Sequence, residues 1–233
     1  RRRNLVPAGA MPYRNPLEMA KMVATLDALS GGRVIFGVGA GNAPDEFEAL
    51  GVPTSTRGRR TDEYLRAMIT LWTQDPASFQ GRFVSFKDVR FGPKPVQQPH
   101  IPIWVGGHSL AALRRAVAFG DAWHSGGMDP ERMAGAAQEL RRLAAEAGRT
   151  SGPAITTRLS VRLLRLGQAV PEPRPFGQGT TQQVCDDLVR YQELGVSLVA
   201  CDFGPRLDSE LAGGMETFAR EVAPSLTGGP VPW

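Results

Sequence analysis

An α/β fold built on a parallel sheet is what this sequence predicts, and three observations carry that expectation. Short apolar runs alternate with helical segments along the chain, a pattern that folds as strand–helix–strand crossovers of right hand. Several runs close on glycine, as at Gly37-Val-Gly-Ala-Gly41 and Gly106-Gly107. The chain's 233 residues, 42% of them hydrophobic, suffice for one large core, since single α/β barrels run to roughly 250 residues. The pattern yields six βα units, whereas a closed barrel of this kind has eight. The expectation is therefore one domain over residues 1–233, lacking its first two units. The absence of an initiator methionine before Arg1 suggests that those units belong at the N-terminus.

Taken in order, residues 5–11 read as a strand that bulges near its end, where Pro7 and Gly9 interrupt the apolar run. Asn15-Pro-Leu-Glu18 starts a helix: an Asn cap, a proline in the first turn and a glutamate three after the cap. Met19, Met22, Val23, Leu26 and Leu29 then recur at helical spacing until Gly31-Gly32. Residues 34–38 form a buried strand. A helix near 60–72 follows, with Leu65, Met68 and Trp72 on one face. Between Phe79 and Phe91 two aromatic-rich runs flank Lys87-Asp88 and predict a hairpin.

Pro93, Pro95 and Pro99 lead into a strand at 101, after which Ser109 caps a helix to about Phe119. Residues 121–124 are a short strand, and Asp129-Pro130 opens a helix to Ala147 that Gly148 ends. Residues 154–166 are strand-like, and 167–179, with Pro171, Pro173 and Pro175, form an irregular loop. Thr180-Thr-Gln-Gln183 is a capping box for a helix whose stripe is Val184, Leu188, Tyr191 and Leu194. Residues 196–203 are the last strand; Leu211, Met215, Phe218 and Val222 mark the last helix.

Composition excludes several classes. No run approaches the ~20 apolar residues of a membrane span, and no secretory signal opens the chain. Net charge is +4, and all but three of the 27 basic residues are arginine, scattered among acids. A nucleic-acid partner would need a basic stripe with interleaved aromatics, and none is present. Cys185 and Cys201 make neither a disulfide framework nor a metal-ligand spacing, which fits a reducing cytoplasm. No metal site is expected.

Gly37-Val-Gly-Ala-Gly41 invites a dinucleotide reading, but G-x-G-x-x-G fails at Asn42 in one register and at Pro44 in the other. Pro44 would also disturb a helix N-terminus there. Packing and ligand contact both account for these glycines, with Asn42 adding a polar side chain at the strand's mouth. Gly106-Gly-His-Ser109 is the stronger signal: glycines admit a ligand close to the backbone, and a capped helix offers N–H groups to an anion. Ser125-Gly-Gly127 repeats the device after the next strand. Two neighbouring glycine-rich mouths would make one phosphate cradle. His108 and His124 read as rim or cofactor-tail contacts rather than general bases, and His100 as structural. Trp104 and Trp123 read as packing, with Trp123 the better ligand candidate because it lies nearer its strand's end. No nucleophilic triad stands out, and no catalytic residue is assigned.

Taken together, the sequence resembles the bacterial luciferase-like monooxygenase family, and within it the F420-dependent oxidoreductase branch. The stretches that carry this are Pro12-Tyr-Arg-Asn-Pro16, Ala24-Thr-Leu-Asp-Ala-Leu-Ser-Gly-Gly-Arg33, Gly37-Val-Gly39 and Glu46-Phe-Glu-Ala-Leu-Gly-Val-Pro53. Arg60-Thr-Asp-Glu-Tyr64, Pro93-Lys-Pro-Val96, Pro102-Ile-Trp-Val-Gly-Gly107 and Gly120-Asp-Ala-Trp-His124 add to them. The resemblance implies a TIM-type (β/α)8 barrel with a deazaflavin, coenzyme F420, or alternatively FMN at its C-terminal mouth. It implies a bulge with a non-prolyl cis peptide within Ala8-Gly9-Ala10 behind the ring, and Gly39, Gly41 and Asn42 beside it. The backbone of Gly106, Gly107, Ser125, Gly126 and Gly127 would take the phosphate, with His108, Trp123 and His124 nearby. The hairpin near 79–91 matches an insertion of this family.

The activity so implied is hydride transfer between the cofactor and a small organic substrate. The catalytic wall would lie in the two units absent here, so a flavin-binding relative without turnover is the alternative. An incomplete barrel exposes sheet edges, which favours a homodimer.

Overall fold

The computed structural model describes residues 4–164, 168–204 and 209–226. Arg1–Arg3, the end of the expected 154–166 strand and the first residue of the 167–179 loop lie outside them. The fold is parallel α/β, and the chain divides into two compact units, Arg1–Ala122 and Trp123–Trp233.

The first unit runs β1 (Asn4–Ala10), α1 (Pro16–Ser30), β2 (Val34–Gly39), α2 (Pro44–Ala49), α3 (Arg57–Thr73), β3 (Ala77–Gln80), β4 (Ser85–Val89), β5 (Ile103–Gly106) and α4 (Leu110–Phe119). Strands β1, β2 and β5 lie side by side in that order, parallel. Phe36 and Val38 of β2 and Ile103, Trp104 and Val105 of β5 are buried in its core. All three strands therefore end at the same side, which places their glycine-rich mouths together.

Local chemistry explains the helices. The Asn15 side chain accepts a hydrogen bond from Leu17 N, Pro16 takes the first position of α1, and Gly31 ends it in the left-handed region at φ 65°. The buried face of α1 differs from the expected stripe. Met19, Ala20, Val23, Ala24 and Asp27 face inward, whereas Met22, Leu26 and Leu29 are exposed. Small Ala20 lets α3 approach closely enough for the Trp72 indole to donate to its carbonyl at 3.1 Å. Asp27 turns inward because its carboxylate accepts from the backbone of Val96 and Gln97.

Two further differences have clear causes. Pro44 begins a helix rather than disturbing one: it sits at the first position of α2, where no N–H is needed. The hairpin forms from β3 and β4, antiparallel, but it turns at residues 81–84 and Lys87-Asp88 lies within β4. Glu63 of α3 fixes that turn. Its carboxylate accepts from the backbone N–H of Arg82 at 3.0 Å, Phe83 at 2.6 Å and Val84 at 2.9 Å. A Cβ at Gly81 would collide with the same carboxylate.

The second unit runs β6 (Ala122–Gly126), α5 (Pro130–Glu146), β7 (Ala154–Ser160), β8 (Arg162–Leu163), β9 (Gln178–Gly179), α6 (Thr181–Glu193), β10 (Val196–Asp202) and α7 (Ser209–Thr217). β7 lies between β6 and β10, and β7 and β10 are parallel. Asp129 caps α5 through Arg132 N, and Thr180 and Gln183 close a reciprocal capping box on α6. Part of the expected 167–179 loop is ordered as a strap. Arg174 forms a bidentate pair with buried Asp187, both bonds 2.7 Å, and β9 pairs with β8. The last helix passes into a π turn over Phe218–Val222. The extra residue in that turn rotates the helical register, so Met215 is exposed while Val222 is buried. No helix among the described residues is long and apolar enough to cross a membrane.

Candidate functional site

In the first unit, the expected bulge is present. The pairing of β1 with β2 shifts between Pro7 and Ala10, so that Ala10 stands opposite Gly39. Gly9 adopts φ 62° there. A left-handed glycine accommodates the extra residue without reversing a peptide unit. The cis peptide bonds among the described residues all precede proline, at Pro76, Pro93, Pro99 and Pro173. The expected non-prolyl cis bond within Ala8-Gly9-Ala10 is therefore not part of this bulge.

Gly39 and Gly9 approach closely, a Cβ on Gly39 falling 3.5 Å from the Gly9 carbonyl oxygen. Gly41 is committed to packing. A Cβ there would stand 2.6 Å from Ala10 Cβ and 2.9 Å from the Phe47 ring, and its φ is 81°. Phe47 is buried and meets the Tyr13 ring edge-on at 4.7 Å. Asn42, just beyond, is exposed.

Strand β5 pairs with β2 through Phe36–Ile103, Gly37–Trp104 and Val38–Val105. The next step of that register sets Gly106 level with Gly39. Gly107 and His108 follow on the surface, and Ser109 caps α4, its side chain accepting from Ala112 N at 3.2 Å. Gly107 has φ 117°, and a Cβ would lie 2.9 Å from Ala112 Cβ. Both facts require glycine, and the second is a packing reason for it against the first turn of α4. The exposed stretch of Gly107 and His108 runs directly into the N-terminus of α4, the end of a helix that favours negative charge.

In the second unit, Trp123 is fully buried and presents no face to a ligand. Ser125 is also fully buried, and its hydroxyl donates to Thr157 at 2.7 Å. Only its backbone remains for the expected role. Gly126 and Gly127 are exposed, and Gly127 N donates to the Arg158 carbonyl at 2.9 Å. His124 is half-buried, with Nδ1 2.9 Å from Thr156 Oγ1. Burial, and secondarily the Arg158 guanidinium, push its imidazole below the ordinary value, so it is neutral near pH 7. Burial likewise pushes the Cys201 thiol up to about 11, which keeps it protonated and unreactive.

Thr156, Thr157, Arg158 and Asp202 are the polar residues that sequence reasoning passed over. Thr156-Thr-Arg158 gave no signal in advance, because β-branched residues and an exposed arginine are both ordinary in a strand. Among the described residues no group of three His, Cys, Asp or Glu side chains could hold a metal.

Comparison with known proteins matches this architecture. The family model described as luciferase-like monooxygenase matches residues 1–164, well over half of the chain. An uncharacterized protein of Mycobacterium tuberculosis is 43% identical over 141 residues, covering 60% of this chain and 48% of its own length. Another from the same organism is 36% identical over 221 residues, covering 94% and 70%. An FMNH(2)-dependent dimethylsulfone monooxygenase of Pseudomonas putida is 38% identical over 137 residues, covering 58% and 38%. The chain thus spans about half the length of several curated relatives it matches.

Among solved structures, a monooxygenase from Streptomyces bottropensis superposes with a TM-score of 0.83 at 22% identity, covering 95% of this chain and 78% of that one. An F420-dependent secondary alcohol dehydrogenase follows at 0.77 and 19%, covering 96% and 78%. At such identities these two show the fold alone. With the family model spanning both the bulged strand and the glycine-ended strands just described, this chain belongs to the luciferase-like monooxygenase family.

Proposed function

We propose that this chain forms the cofactor-binding part of a flavin-type oxidoreductase, with coenzyme F420 as the cofactor and FMN as the alternative. The observation that carries the reading is the Gly107 mouth: exposed backbone at φ 117° that runs directly into the N-terminus of α4. Gly106 and Gly107, with His108 at the rim, hold the cofactor phosphate. In the second unit, the backbone of Ser125, Gly126 and Gly127 is proposed as a phosphate contact in its own right. Ala8, Gly9 and Ala10 back the ring, with Gly39 and Asn42 at its border. When bound, the cofactor supplies the hydride chemistry on a small organic substrate, while the protein orients it and excludes water. Support for either cofactor comes from relatives named for FMNH(2) and for F420. A homodimer is the expected assembly.

Titrating the purified chain with F420 and, separately, with FMN tests this reading through the change in cofactor absorbance and fluorescence. One of them should bind saturably, and His108→Asp, which sets a negative charge at the exposed rim, should weaken it at least tenfold while circular dichroism is unchanged. If neither cofactor binds, or if the variant binds as tightly as the parent, the assignment of the mouth is wrong.

A further inference from the structure

The strands of the second unit have two unlike faces. Ser125 and Thr157 lie on the face that α6 covers: both are buried, and Tyr191 of that helix is buried and donates to the Met128 carbonyl just past β6. Alternation along a strand puts the opposite set on the other face: His124 from β6, Thr156, Arg158 and Ser160 from β7, and Leu198, Ala200 and Asp202 from β10. The β7–β10 register confirms the match, with Leu198 opposite Thr156, Ala200 opposite Arg158 and Asp202 opposite Ser160.

Arg158 brings a positive charge to that face that the other described residues engage only weakly. Its guanidinium is 63% exposed, and its ion-pair partner among the described residues is Asp202, itself 37% exposed, with Nε 3.8 Å from Oδ2. A pair so long and so solvated contributes little to stability. It engages one edge of a planar fork that is shaped for two parallel bonds to a carboxylate or sulfonate. The terminal nitrogens of the fork have no bonded partner among the described residues. Beside it, His124 and Thr156 form a hydrogen-bonded pair, adding polar atoms to the same patch.

We propose that this face of β6, β7 and β10 recognises an anionic group, a carboxylate or sulfonate borne by the small organic substrate, with Arg158 as the residue that binds it. Asp202 is the resting partner that the incoming anion displaces, and His124 and Thr156 form the wall beside it. Arg158 and Asp202 are the full charges that these three strands place on this face, and His124 is the third titratable group. The substrate's identity as a flavin-enzyme substrate rests on the function proposed above, but binding of the anion does not require cofactor and can be measured without it.

The chain contains three histidines, so proton NMR can follow His124 with His100 as the internal reference and His108 as the reporter of the phosphate mouth. The probes are propanoate and propane-1-sulfonate, with 1-propanol as the neutral control. Expected is a saturable shift of the His124 signal and a rise in its pKa with either anion, because the bound charge offsets that of Arg158. Neither should occur with propanol. Arg158→Gln should raise the pKa of His124 without any ligand and weaken the anions at least tenfold. Asp202→Asn, which removes the competing carboxylate, should tighten them several-fold and keeps the test decisive if the first variant misfolds.

The absence of a saturable shift in the parent chain would overturn the proposal, as would unchanged anion binding in Arg158→Gln. A third outcome also overturns it: if Arg158→Gln weakens F420 or FMN in parallel titrations as much as it weakens propanoate, the arginine serves the cofactor's phosphate. Failure of the parent chain to bind either cofactor, with propanoate still binding through Arg158, would sink the flavin reading and leave the anion site standing.

Discussion

Asp187 is 1% exposed and accepts three hydrogen bonds of 2.7 Å, two from the Arg174 guanidinium and one from Gly177 N. A buried carboxylate is tolerable only with such a complete set of donors. Asp187→Ala would strand the Arg174 charge and release the strap, costing about 3–5 kcal/mol by the usual penalty for removing one partner of a buried pair. Urea denaturation should show the loss as a lowered midpoint. The neighbouring Asp186, which accepts a hydrogen bond from Gln182 at 2.8 Å on the exposed side of α6, is the control, and its replacement by alanine should change little. Nothing in Cys185-Asp-Asp187 distinguishes the two acids beforehand. The difference arises because Asp187 shares the buried face of α6 with Val184, Leu188 and Tyr191, and only the strap's arginine makes that face habitable for a charge.

At the scale of elements, helix limits were legible because capping is local chemistry. Asn15, Ser109, Asp129 and Thr180 all act as the sequence indicates. The hairpin was legible as a hairpin but not in its turn, because the turn is set from outside by Glu63, about twenty residues upstream. Glu63→Ala should free the three N–H groups of residues 82–84 and cost about 1–3 kcal/mol for the unsatisfied donors. Amide exchange should quicken at Arg82, Phe83 and Val84 first. If those amides exchange no faster than in the parent, the carboxylate does not hold the turn. The inward face of α1 was also misjudged. Counting large apolar residues favours Met22, Leu26 and Leu29, yet close packing selects the alanines between them.

For the molecule as a whole, the alternation of strands and helices was readable because it depends on periodicity. What the sequence could not supply was side-chain direction at those ends. Trp123 and Ser125 are turned into the core, whereas Arg158, on the next strand in sequence, is turned out of it. Global stability should carry the signature of His124. Its pKa is below the ordinary 6.5 in the folded chain, mainly through burial, so the unfolded chain binds the proton more readily. Stability is therefore full above pH 6.5 and falls as the pH drops from there through the folded-state value. Chemical denaturation between pH 7.5 and 5.5 should show this decline, and His124→Gln should flatten it. A slope unchanged by that substitution would show that other groups control the window.

The collision waiting at Gly41 governs how such a chain can diverge. Any side chain there must push at once on Ala10, at the end of the bulged strand, and on Phe47, the one buried residue of a short helix. Drift at that site consequently demands compensating change in two other segments, which single substitutions do not provide. Its exposed neighbour Asn42 carries no such burden. A substitution at Asn42 therefore meets open solvent, whereas one at Gly41 meets two packed segments at once.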